Sequence, residues 1–314
     1  MTFNSKNLSI VFDLGTTEIK GAVMKNDGTL VQKVTQQNYT TVTDSNRHEQ
    51  DAIFWWKAIC SVSNELCESH KIHSVIVTGQ MQNLLLLNTK GSPLQEVILY
   101  SDQRSIEESE WLLQNSCYLD LVAKTGNEQG PTSLLAKLLW IKKHQPEIFS
   151  KTDCLLPGAS DYVVFRMTGE KATDTTTAST TGLMELVERK WIDEALFNKM
   201  GLQGVQTLLP KLFDGGAKIG ELQKKAATDL GIPAGLPVFL GPGDAGSATI
   251  GAGCGVPGKA YAYIGTSGWV AFAEKQPADP TTGVITLSHP KCDHFIQVAP
   301  LLTAGGNLEW AKSL

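Results

Sequence analysis

The sequence predicts an α/β protein built from two related halves, and three patterns carry that reading. Short apolar runs separated by turn residues open the chain, as antiparallel strands do. A stretch with helical apolar spacing then leads into a buried strand that ends in glycine. Far downstream the opening strand–turn–strand pattern returns in weaker form, so a second domain of the same type is expected to face the first across a shared ligand.

Taken in order, Leu8 to Phe12 reads as a strand, Asp13-Leu14-Gly15-Thr16-Thr17 as a turn, and Ile19 to Met24 as the returning strand. Lys25 to Gly28 supplies a second turn and Leu30 to Val34 a third strand. Residues 51–70 place Ile53, Trp56, Ile59, Cys60, Val62, Ser63 and Leu66 at helical spacing, and His73 to Gly79 follows as a strand. Ser133 to His144 is an amphipathic helix stopped near Pro146, and Trp191 to Met200 and Ile219 to Leu230 are further helix candidates. The strand Val238 to Leu240 runs into Gly241-Pro242-Gly243-Asp244 and the small-residue run Ala245 to Gly253. The division is placed there, with a first domain over 1–245 and the beginning of a second over 246–314. Within the second, Lys259 to Ile264, the turn Gly265-Thr266-Ser267-Gly268, and Trp269 to Ala273 repeat the opening pattern.

Composition narrows the function classes. Lys and Arg number 27 against 32 Asp and Glu in 314 residues, so no basic field exists to hold a polyanion and nucleic acid is not an expected partner. The longest apolar runs, such as Leu84 to Leu87, fall far short of the roughly 20 residues of a membrane helix, and Met1 to Asn7 is too polar for a signal peptide. A cytoplasmic protein with no membrane partner is expected. Six scattered cysteines contain no CxxC pair, so reduced thiols are the default.

Several constellations bear on chemistry. In Asp13-Leu14-Gly15-Thr16-Thr17, glycine lets backbone N–H groups approach an oxyanion, the threonines donate to phosphate oxygens, and the carboxylate suits hydrated Mg²⁺; the same residues also make ordinary hairpin turns. Gly265-Thr266-Ser267-Gly268 is the same device without the carboxylate. Asp244, after a buried strand and among residues too small to shield it, is placed to take a proton from a hydroxyl, to cap a helix, or to do both. Gln80-Met81-Gln82 and Tyr100-Ser101-Asp102-Gln103-Arg104 suit a small polyol, or else are satisfied structural glutamines and a surface ion pair. His289, Cys292 and His294 look like a metal cluster, but their spacing reads as a hairpin tip.

Together these residues resemble the FGGY family of carbohydrate kinases, of the actin-like ATPase superfamily. Asp13 to Thr17 resembles the family's first phosphate turn, Glu49-Gln50-Asp51 with Trp55-Trp56 its early stretch, and Gly79-Gln80-Met81-Gln82 the Gly-Gln-Met-His of xylulokinase-like members. Tyr100 to Arg104 is similar to the aromatic-x-Asp-x-Arg sugar motif, Lys137 to Phe149 to the long central helix, and Thr173-Asp174 with Ala178-Ser179 to a Thr-Asp…Ala-Ser segment. Gly241 to Asp244 resembles the segment that carries the catalytic base, and Gly265-Thr266-Ser267 the second phosphate turn. Gln82 stands where histidine is usual, Tyr100 where tryptophan is common, and Pro242 where the family has glycine.

The resemblance implies a ribonuclease H-like (actin-like ATPase) domain followed by the start of a second domain of the same type, with ATP and Mg²⁺ as cofactors and a small sugar as partner. Phosphoryl transfer to a ketopentose such as xylulose or ribulose follows, with Asp244 as base and Asp13 as metal ligand. Gly15, Thr16, Thr17, Gly265, Thr266 and Ser267 would lie at the nucleotide, and Gln80, Met81, Gln82, Tyr100, Asp102 and Asp244 at the sugar. A homodimer is allowed. Family members carry a longer second domain, so a C-terminally truncated chain lacking the adenine pocket is expected. The rival reading is a truncated sugar-binding or regulatory relative without catalysis.

Overall fold

The computed structural model describes residues 7–44, 46–67, 70–264, 268–291, 293–301 and 311–312. Strand β1 (Leu8–Leu14) turns Ile10, Phe12 and Leu14 to one face, all fully buried, and leaves Asp13 on the other. It pairs antiparallel with β2 (Glu18–Lys25), which pairs antiparallel with β3 (Leu30–Gln37). Helix α1 (Ala52–Cys67) starts where Asp51 accepts the Ile53 N–H at 2.7 Å. It lays Trp55, Ile59, Val62 and Leu66 against the sheet. At Gly21 of β2 a β-carbon would sit 2.3 Å from Val62 Cγ1, so only glycine permits this approach.

From α1 the chain enters β4 (Ile72–Gly79), parallel to β1 with Asp13 opposite Thr78. Helices α2 (Leu134–His144) and α3 (Ala159–Thr168) follow, α2 among a second apolar cluster and α3 in the main one. Next come β5 (Ala217–Glu221), α4 (Lys224–Leu230) and β6 (Pro237–Leu240), which complete a six-stranded sheet in the order β5-β6-β4-β1-β2-β3. Helix α5 (Asp244–Gly251) leads to a separate four-stranded antiparallel sheet. Its strands are β7 (Ala260–Ile264), β8 (Gly268–Glu274), β9 (Ile285–Ser288) and β10 (Phe295–Leu301), in the order β7-β8-β10-β9.

Two helix expectations are corrected. Ile219 belongs to β5, an edge strand paired antiparallel to β6 with a register shift between Lys218 and Gly220, and the helix begins only at Lys224. Trp191 lies in the two-residue strand Lys190–Trp191; its indole N–H reaches the Pro210 carbonyl at 2.8 Å. The helix there is Glu194–Lys199, started by Asp193, which accepts the Leu196 N–H at 2.8 Å. The hairpin-tip reading of His289 and His294 is met, since they lie between the antiparallel strands β9 and β10; Cys292 lies outside the described residues. Among the described residues no helix is long and apolar enough to cross a membrane.

Candidate active site

Asp13, near the end of β1, and Asp244, just after β6, flank the end of β4, which lies between those two strands, and the two carboxyls act on each other. The route is short: β4 sets Thr78 beside Asp13, and the Thr78 hydroxyl donates to the Pro242 carbonyl at 2.7 Å and lies 2.9 Å from Ser247 Oγ. The Gly241 N–H closes on the Val77 carbonyl at 2.8 Å. The loop that carries Asp244 is thereby clamped to the end of β4. Gly243 takes the cap position of α5, so Asp244 is a first-turn residue, its carboxylate accepting the Ala245 N–H at 2.8 Å.

Asp244 is exposed to solvent and at the same time closely surrounded by neighbouring protein. That surrounding mass, with the facing charges of Asp13 and Asp174, pushes its carboxyl pKa up to about 7, against the pull of the Ala245 N–H. Asp13 is also raised, by burial, which outweighs the nearby ammonium groups of Lys20 and Lys33. Lys20 Nζ stands 3.9 Å from its carboxylate, and both side chains are a little over a third exposed.

The turn after Asp13 rests on a polar scaffold. Thr16 Oγ1 donates to Gln80 Oε1 at 2.9 Å, Gln80 Nε2 to Gln50 Oε1 at 2.8 Å, and Gln50 Nε2 back to the Thr16 carbonyl at 2.8 Å. Asn38 Nδ2 holds the Gly15 carbonyl at 2.9 Å and the Trp55 indole donates to Gln50 at 3.0 Å. The Gly15 N–H is used by the Glu18 carbonyl, while the N–H groups of Thr16 and Thr17 have no partner among the described residues.

The structure distributes the expected sugar residues differently from one another. Gln80 is buried, and both ends of its amide are spent beneath the turn. Met81 lies against Gly243, where a β-carbon would come 2.1 Å from its sulfur, and it packs with Ala271, Leu287 and Ile296 of the second sheet. Gln82 has a left-handed backbone, φ 60°, with its amide 3.4 Å from the Thr132 carbonyl. Tyr100 is exposed and held through its N–H by Asn83. Asp102 is fully buried and its two oxygens take four donors: the Arg104 N–H, Nε and Nη2, and the His48 N–H. A carboxylate offers about four such places, so none is left for a sugar hydroxyl. The Asp102–Arg104 pair, read from the sequence as a surface pair, is in fact buried and joined by Glu49. Gly265, Thr266 and Ser267 lie outside the described residues.

Asp174, Thr78 and Asn127 were not singled out as site residues from the sequence. For Asp174 a signal existed: Asp before Thr175-Thr176-Thr177-Ala178 is a helix-start pattern, and the carboxylate does cap that short helix. Asn127 bonds both the N–H and the carbonyl of Thr286 at 2.8 Å, a contact between distant segments with no local sequence mark. A separate surface hollow of about 350 Å³, bounded by Arg104, Glu108, Trp140 and His144 among others, includes neither Asp13 nor Asp244.

Comparison with known proteins bears on this geometry. The model of the FGGY family of carbohydrate kinases, N-terminal domain, matches residues 8–251. The xylulose kinase of Escherichia coli K12 is 31% identical over 314 residues, covering 97% of this chain and 62% of that protein. A ligand-bound xylulose kinase from Lactobacillus acidophilus superposes with TM-score 0.88 at 26% identity, covering 98% of this chain and 62% of that one. The gluconate kinase of the same organism reaches TM-score 0.88 at 25% identity, covering 97% and 62%. The likeness confirms the expected ribonuclease H-like α/β architecture, and the chain spans about 62% of the length of these relatives.

Proposed function

The chain belongs to the FGGY family of carbohydrate kinases, and on that premise we propose that it serves transfer of the γ-phosphoryl of ATP to a hydroxyl of a small sugar, with a ketopentose such as xylulose as acceptor. The observation that carries this reading is Asp244: a carboxylate on a clamped loop, facing Asp13, with its pKa raised to about 7. Relatives named xylulose kinases favour the ketopentose, and the equal likeness in fold to a gluconate kinase makes sugar acids the first competitors. We place the division between the two domains at residue 245, since the six-stranded sheet ends at Leu240 and the second sheet begins at Ala260.

In this reading Asp244 accepts the proton of the attacking sugar hydroxyl, and its raised pKa makes it a stronger base than an ordinary aspartate. The N–H groups of Thr16 and Thr17, without partners among the described residues, meet phosphate oxygens. The Thr16 hydroxyl serves instead by donating to Gln80, which fixes the turn. For Mg²⁺ the donor set fits: the ion takes one or two carboxylates and completes its shell with water and phosphate, and Asp13, facing a second carboxylate, offers that. When bound, the ion neutralises charge developing on the phosphate oxygens.

The test is coupled ADP release with pentuloses, hexuloses, gluconate and glycerol, on the wild type and on Asp244→Ala. Loss of a general base costs about 10²–10⁴ in rate, so the variant should be near-silent while still binding sugar. The wild-type kcat/KM should rise as pH increases through about 7, because only ionised Asp244 accepts the proton. A sugar that raises Tm while no ADP appears with any acceptor would leave a binding protein and remove the phosphotransferase reading.

A further inference from the structure

We propose that β9 is the pinned edge of the second sheet, and that Asn127 and Arg189 are positioning residues which, through this edge, seat Met81 against the loop that carries Asp244. The inference deepens the reading of Asp244 as proton acceptor and rests on it for its consequence. In the order β7-β8-β10-β9, strand β9 has β10 on one side and, among the described residues, no strand on the other. Alternate residues of a strand turn their N–H and C=O groups to opposite edges, and Thr286 and Ser288 turn theirs away from β10. An edge of this kind needs partners. Side chains of the first domain supply them. Asn127 Oδ1 accepts the Thr286 N–H at 2.8 Å and Asn127 Nδ2 donates to the Thr286 carbonyl at 2.8 Å, as a residue of a neighbouring strand would. Ser179 Oγ accepts the Ser288 N–H at 3.0 Å while donating to the Thr176 carbonyl at 2.6 Å. Beyond the strand, Arg189 Nη2 donates to the carbonyls of His289 at 2.8 Å, Lys291 at 3.1 Å and His294 at 3.3 Å.

The pinned edge bears on the cleft through one side chain. Leu287 stands opposite Ile296 across the β9–β10 pair, and with Ala271 of β8 these two pack on Met81, which is 7% exposed. Met81 in turn lies against Gly243, where a β-carbon would come 2.1 Å from its sulfur and 2.3 Å from its Cγ. Gly243 is the residue before Asp244 and the cap position of α5. One flank of the Asp244 loop is held by Thr78 and the Val77 carbonyl at the end of β4. The other flank rests on Met81, whose backing comes from the second sheet. Apolar contact alone would let β9 slide along that backing. The paired bonds at Thr286 fix its register, and a slip of one residue would turn Leu287 away from Met81 to the opposite face.

The experiment follows hydrogen exchange at backbone amides and the ¹³C-methyl resonances of methionine in the whole 314-residue chain, without sugar or nucleotide. The Met81 methyl is identified by its loss in Met81→Leu. In Asn127→Ala the Thr286 amide should exchange about tenfold faster than in the wild type, while the amides of β1 and β4 keep their rates and the Met81 methyl moves. An acceleration at Thr286 below about threefold, an equal acceleration in β1 and β4, or a Met81 methyl that stays in place would each overturn the proposal. Arg189→Met should speed exchange of the His289 amide, which donates at 3.3 Å to the same His294 carbonyl that Arg189 holds, and should also move the Met81 methyl. This second variant decides alone if Asn127→Ala does not fold, and either signal unchanged in it refutes the role. Failure of Asp244 as proton acceptor would show in the ADP assay and leave these signals untouched, so the two readings fail separately.

Discussion

The two strand–turn–strand units, residues 8–25 and 260–274, look alike in sequence and differ in what surrounds them. In the first, β1 buries every second side chain and α1 packs over β2. In the second, β7 is exposed along most of its length, with Ile264 70% accessible and Tyr263 stacked on Trp269 at 4.1 Å. Only the first turn is shown to stand on a buried polar scaffold, where Gln50 makes five hydrogen bonds to Asn38, Thr16, Thr40, Trp55 and Gln80. The lesson is that the first turn is held by the polar layer beneath it, and that Asn38, Gln50 and Gln80, which build the layer, lie outside the hairpin.

The strongest way to break the comparison is Gln50→Leu. It leaves several buried donors and acceptors without partners at about 1–3 kcal/mol each, so a total loss of about 3 kcal/mol or more is expected in urea unfolding. The matching probe in the second unit, Tyr263→Ala, removes a half-exposed stacked pair worth about 1 kcal/mol. If the two variants cost the same, the claim that the first turn is specially founded is wrong.

Much of this was legible in the sequence because it is periodic or local. The alternation in β1 and the helix at α1 follow from spacing and are met, with two corrections. Asp13 and Leu14 pair within β1, so the turn expected over Asp13 to Thr17 is confined to Gly15 to Thr17, and on α1 Ile53 is exposed while Trp55, outside the expected stripe, is buried. Where local signals competed, the sequence misled: Ile219 fits a helical stripe, yet pairing with β6 draws residues 217–221 into the sheet edge. The site was harder. Asp13 and Asp244 lie 231 positions apart and come together only because β4 pairs in parallel with β1 on one side and with β6 on the other, a fact of topology that spacing does not encode. Gln80 and Asp102 carry the right chemistry for a sugar but are consumed by protein: Gln80 by Thr16 and Gln50, Asp102 by Arg104 two residues on and by the distant His48 N–H. Whether a polar side chain faces ligand or protein depends on those partners, and no single stretch of sequence names them all.

The smallest expected effect is a pH slope, and it separates the cleft from the rest of the first unit. Asp244 folded titrates at about 7, above the value of about 4 for an unfolded aspartate. Between those values the folded chain binds more protons than the unfolded one, so this group makes stability fall as pH rises from about 4 to about 7. Because the side chain is open to solvent, screening keeps the change small. Asp244→Asn removes the slope: it should gain on the wild type at about pH 8 and be level with it at about pH 4 in denaturant unfolding. A variant that is less stable than wild type at the higher pH would mean that the charge on Asp244 is well solvated, and that the ring of protein and the facing carboxylates do not act on it as described.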